Sequence, residues 1–96
     1  MKDRDRVINM LGLAEKAGRM LSGEKALEAI KNGKAKLCVL TTDVSDNTEK
    51  LYSDKCSYYN VPFCKYGTRI QTGHPTMVII DENFARAIKD LLGGKN

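Results

Sequence analysis

Apolar residues at the start of the chain recur at helical spacing. Val7, Leu11 and Ala14 form a stripe that Ile8, Met10 and Ala17 widen, and Gly18 supplies a stop, so a helix is predicted over residues 4–17. Residues 19–21 then read as a short strand. Ser22 is placed as the N-cap of a second helix that buries Ala26, Leu27, Ala29 and Ile30 and ends at Asn32 and Gly33.

The continuous apolar run LCVLT, residues 37–41, has the content of a fully buried strand and is expected at the centre of the sheet. Ser45 or Asp46 caps a third helix, with Glu49 placed to reach back as in a capping box, and this helix buries Leu51, Tyr52, Cys56 and Tyr59. Pro62 disfavours helix at Val61, so the helix stops there and residues 63–66 form a short strand. Residues 67–76 are expected to be a loop. A strand over 77–80 leads to Asp81 as N-cap of a last helix with the stripe Phe84, Ile88, Leu91 and Leu92, closed by Gly93 and Gly94. Helices alternating with strands predict a three-layer α/β/α sandwich around a small sheet, built as one domain over residues 1–96.

Composition adds the class of partner. The net charge of +4 is unevenly spread: residues 1–36 hold nine Lys or Arg against five Asp or Glu, and residues 37–96 hold seven of each. A basic region of this kind is the footprint of nucleic-acid binding, or only an aid to solubility. With no apolar run near the ~20 residues that span a bilayer, and no apolar leader in MKDRDR, the chain is expected to be cytoplasmic and free of membrane contact. Cys38, Cys56 and Cys64 form no C-x-x-C pair and are read as buried or idle thiols.

Catalysis finds little support. His74, the sole histidine, sits in a Gly-Pro loop and is read as a solvated residue without metal-ligand partners. Asp43, Asp81 and Glu82 follow strand ends, where α/β enzymes often keep catalytic groups, but helix capping is the favoured reading. Tyr58 and Tyr59, able in principle to stack on bases, are read as packing residues near a helix end. Nucleotide-loop, nucleophile-elbow and zinc-helix motifs are missing from the sequence, so no enzyme, cofactor, metal or small-molecule substrate is expected.

Residues 19–36, RMLSGEKALEAIKNGKAK, support two readings. In one, a helix N-terminus offers unpaired N–H groups, and Gly23 lets a phosphate or base edge come close. Glu24 and Glu28 then accept hydrogen bonds from base amino groups, and Lys25 and Lys31 meet phosphates. In the other, Glu28 and Lys31 form a solvated i, i+3 pair on an ordinary wet face.

Between residues 11 and 63 the chain carries LGLAEKAG, SGE, GKAKLCVLTTD, SDNT and DKCSYYNVP in order, with MVIIDENFA near the end. On these pieces it resembles the YlxQ-like bacterial members of the kink-turn RNA-binding ribosomal protein family, relatives of archaeal L7Ae and eukaryotic L30e. The resemblance implies a four-stranded mixed sheet, no enzymatic activity, no cofactor, and structured RNA as partner. That RNA is a kink-turn, a sharply bent internal loop flanked by sheared G·A pairs, or ribosomal RNA. In such relatives the second helix enters the bend by its N-terminus, and a loop before the last strand covers a flipped-out base.

Carried over by residue, Ser22, Gly23, Glu24 and Lys25 take the helix-start positions and Arg19 the basic position before them. Glu28 and Lys31 follow along the helix, and Gly73, His74, Pro75 and Thr76 form part of the covering loop. Two departures accompany the resemblance. The second-helix segment is one residue short, with Glu28 where relatives tend to have lysine, and TRIQTGHPT, residues 68–76, replaces most of a longer helical segment. The implied protein is a monomeric, ribosome- or translation-associated RNA binder. A relative that binds other structured RNA, and a protein-interaction module that has lost kink-turn binding, stay open.

Overall fold

The computed structural model describes residues 3–93, with side chains from Arg6 to Gly93. Among these the order is α1 (Asp3–Lys16), β1 (Met20–Ser22), α2 (Glu24–Lys31), β2 (Leu37–Leu40), α3 (Asp46–Tyr59), β3 (Phe63–Lys65), α4 (Arg69–Thr72), β4 (Thr76–Ile79) and α5 (Glu82–Gly93). The strands lie in the order β1-β4-β2-β3. β4 is antiparallel to both β1 and β2, and β2 runs parallel to β3.

Period-two alternation sends successive side chains to opposite faces of this mixed sheet. Met20, Leu37, Val39, Met77 and Ile79 pack with Val7, Leu11, Ala14, Ala85 and Ile88 of α1 and α5. Cys38, Leu40 and Val78 pack on the other face with Ala26, Ala29 and Ile30 of α2 and Tyr52 and Cys56 of α3. All four residues of β2 are therefore buried, half on each face. The three-layer α/β/α sandwich with a four-stranded mixed sheet is the arrangement that the sequence predicts.

Helix ends follow local chemistry. Gly18, at φ 74°, closes α1 through Gly18 N–H to Glu15 C=O and Arg19 N–H to Ala14 C=O, a Schellman pair. Ser45 caps α3 by accepting from Thr48 N–H at 3.2 Å. Asp81 caps α5 by accepting from Asn83 N–H at 2.7 Å and Phe84 N–H at 3.1 Å.

Several expectations are corrected. Ser22 does not cap α2: it belongs to β1, opposite Met77, and Gly23 takes the cap position without a side-chain bond. Glu49 is one residue too far along to box with Ser45 and instead pairs with Lys65 at 2.9 Å. Leu51 and Tyr59 are exposed rather than buried, since Tyr52 and Cys56 already fill the contact with the sheet. Tyr58 is 78% exposed, so it is not a packing residue, and it meets Tyr59 edge to face at 4.8 Å. Leu27 is half-buried. Residues 67–76 are not all loop: Thr68 and Gln71 form a capping box around the single turn of α4, and Thr76 opens β4. Gly94 lies outside the described residues.

Candidate nucleic-acid interface

Pairing in the sheet brings Ser22, Leu40 and Thr76 to one end of the molecule. The segments that leave or enter the sheet there surround a groove of about 570 Å³. Gly23 and Glu24 from the start of α2, Asp43 and Val44 from the turn after β2, and Arg69 of α4 line it. Leu27, Thr48, Leu51, Pro75 and Thr76 contribute to its walls and floor.

Gly23 is the joint of the site. Its backbone, at φ 64° and ψ −137°, turns β1 into α2 through a conformation that residues with a Cβ rarely adopt. The Gly23 N–H donates to Thr76 Oγ1 at 3.1 Å, and the Tyr52 hydroxyl donates to the Gly23 carbonyl at 3.1 Å. That carbonyl also accepts from Ala26 N–H and Leu27 N–H. The Gly23 amide is thus occupied and not open to a phosphate. Because Gly23 supplies no side-chain cap, the amides of Glu24 and Lys25 remain as the open donors of the first turn.

Opposite stands Asp43. Its carboxylate accepts from Arg69 N–H at 3.3 Å and lies 3.8 Å from the Arg69 guanidinium. The Thr41 hydroxyl, then the Arg69 amide and charge, hold its carboxyl below the usual aspartate value. Thr41 Oγ1 also lies a long 3.5 Å from the Pro75 carbonyl, and an ionised acceptor competes better for its one proton. The groove therefore presents two carboxylates, Glu24 and Asp43, a guanidinium and open amides over apolar atoms of Leu27, Val44, Leu51 and Pro75. Such a set can accept from base amino groups, donate to phosphate or base oxygens, and cover an unstacked ring.

The sequence-predicted residues divide between two ends of the fold. Gly23, Glu24, Pro75 and Thr76 line the groove, Ser22 lies in the strand beneath it, and Lys25 is exposed on the first turn of α2 beside it. Gly73 ends α4. His74 is not solvated: half-buried, its Nε2 bonds Glu15 Oε2 at 2.8 Å, tying the loop to α1 and away from the groove. Arg19 is at the opposite end of β1, 3.7 Å from Asp81. Lys31 ends α2, and no ion pair joins it to Glu28 among the described residues.

Val44, Thr48 and Arg69 are groove residues that the sequence did not single out; Leu51 was read as a core residue of α3, and Asp43 as a cap or a catalytic candidate. Their one sequence signal is position, since the crevice of an α/β sheet forms beyond the carboxyl ends of its strands. The cysteines lie elsewhere: Cys38 and Cys56 are buried, and burial pushes the Cys64 thiol up to about 11.

The class defined by this fold and groove is that of small α/β/α sandwiches with an open crevice at one sheet end. The chain belongs to the ribosomal protein L7Ae/L30e/S12e/Gadd45 family, whose pattern matches residues 5–78. It is 38% identical over 99 residues to the RNA-binding protein YlxQ of Enterococcus faecium, covering 96% of each chain. To the RNA-binding protein YlxQ of Bacillus subtilis (strain 168) it is 38% identical over 91 residues, covering 86% of this chain and 91% of the relative. A solved protein of unknown function from Bacillus halodurans C superposes with TM-score 0.86 at 30% identity, over 90% of this chain and 95% of that one. The Giardia lamblia 15.5kD RNA binding protein shares the fold, with TM-score 0.77 at 17% identity over 97% and 88%. The family and both curated relatives are non-catalytic, and the relatives are named as RNA-binding proteins. No helix among the described residues is long and apolar enough to cross a membrane.

Proposed function

We propose that the protein is a monomeric RNA-binding protein that takes a kink-turn-type RNA into the groove between α2 and the segment before β4. The observation that carries this reading is the convergence, over an apolar floor, of open α2 amides, Glu24, Asp43 and Arg69. Glu24 and Asp43 accept hydrogen bonds from the exposed amino edges of bases in the bend, the Glu24 and Lys25 amides donate to base or phosphate oxygens, and Pro75 and Leu51 cover a displaced base. The naming of both YlxQ relatives as RNA-binding proteins supports the partner class. Kinship with ribosomal proteins supports a place beside the translation machinery in the cytoplasm.

Ile70 favours a second reading. It is 95% exposed on α4 beside Arg69, as an apolar contact to a protein would be, and a module that has lost kink-turn binding would use it so. Amide chemical-shift mapping with kink-turn RNA separates the two. RNA binding in the groove perturbs Gly23, Glu24, Val44 and Thr76 first; perturbation confined to α4, or none, contradicts it.

A further inference from the structure

The end of the sheet away from the groove has its own charge. β1 begins after Arg19 and β2 after Lys36, and both flank the last residues of β4: Lys36 N–H donates to the Ile79 carbonyl and Ile80 N–H to the Arg19 carbonyl. α2 runs from the groove to this end, finishing at Lys31. The turn that follows is firmly held, with Gly33 at φ 84° and the amides of Lys34 and Ala35 both donating to the Ala29 carbonyl. Ala35 is buried, so Lys34 and Lys36 are displayed outward from either side of an anchored residue.

Arg19, Lys50, Lys65, Arg69 and Arg86 each stand within 4.0 Å of a carboxylate. Among the described residues none pairs with Lys31, Lys34 or Lys36. Three exposed cations around a held turn, none of them in an ion pair, are an arrangement suited to phosphates. Asp81 is engaged by Arg19 and the α5 cap, and Glu28, three residues before Lys31 on α2, forms no ion pair with it.

We propose that Lys31, Lys34 and Lys36 form a second RNA-docking surface that holds the phosphate backbone of a duplex stem leaving the groove along α2. This rests on the RNA-binding reading and extends it. Five strand rises separate Lys36 from Thr41, so the two surfaces are about 16 Å apart. The groove recognises the bend, and the lysine turn holds the flanking helix without reading its sequence.

The test compares native protein with the Lys31→Gln/Lys34→Gln/Lys36→Gln variant on a kink-turn RNA with short stems, the same RNA with long stems, and a plain duplex. The three side chains are exposed, and an unchanged melting temperature shows that the variant folds. The expected result is binding to the long-stem RNA about tenfold weaker at moderate salt, a salt slope shallower by about three, and no change on the short-stem RNA. Equal affinity and slope for both proteins on the long-stem RNA overturn the inference while leaving the groove intact. If native protein fails to prefer the kink-turn over the duplex, yet the variant still loses duplex binding, the lysine surface stands and the groove reading falls. Binding to none of the three RNAs overturns both.

Discussion

The Gly23 amide donates to Thr76 Oγ1 at 3.1 Å, joining residues 53 positions apart. This bond ties the start of α2 to the start of β4, the two segments that border the proposed RNA groove. Thr76→Val keeps the side-chain shape and removes the acceptor. It should cost about 1 to 3 kcal/mol in urea unfolding, the penalty for a donor left unpaired, and it should also weaken RNA binding. Thr76→Ser should restore most of both.

Gly23→Ala isolates backbone strain. An added Cβ would meet nothing within 4 Å, so crowding contributes no penalty. The positive φ alone should destabilise the protein by about 1 to 3 kcal/mol. A variant as stable as the native chain would show that the turn from β1 into α2 does not need this conformation.

Asp43 gives a pH signature. Its folded-state pKa is depressed, with the Thr41 hydroxyl as the first cause. A group depressed in this way adds stability above its unfolded value and loses it as pH falls through the folded value, so RNA affinity attributable to Asp43 should be flat over about pH 5 to 8. Thr41→Val should move the Asp43 carboxyl titration, followed by NMR, upward toward 3.8. No movement would remove Thr41 from the account.

Ile30 and Leu27 separate folding from binding. Ile30 is fully buried between α2 and the sheet, and Ile30→Ala should cost about 2 to 5 kcal/mol. Leu27 is half-buried and lines the groove, so Leu27→Ala should cost less in thermal unfolding while lowering RNA affinity more than its stability loss explains.

Elements with a sustained apolar period were legible in the chain. The stripe of Val7, Leu11 and Ala14 and the buried run of β2 carry their own evidence. α4 was not, because a single turn has no stripe, and its only signal is the Thr68–Gln71 box. β1 and β4 were displaced by a residue because the pairing of Met20 with Ile79 and Ser22 with Met77, not local composition, sets their ends. The helix-start half of the groove was readable from SGE. Pro75 and Thr76 were placed through the resemblance, but Asp43 and Arg69 join the groove only through the order of the strands. The same order sends Arg19 and Lys31 to the far end, although Arg19 stands only four positions from Gly23 in the chain.

The most direct test of RNA recognition by the groove is a gel-shift titration of kink-turn RNA against the same RNA with its sheared G·A pairs replaced by Watson-Crick pairs, at low and moderate salt. The account predicts tight binding to the kink-turn that persists at moderate salt and is lost on replacement. Equal, weak, salt-sensitive binding to both RNAs would contradict it.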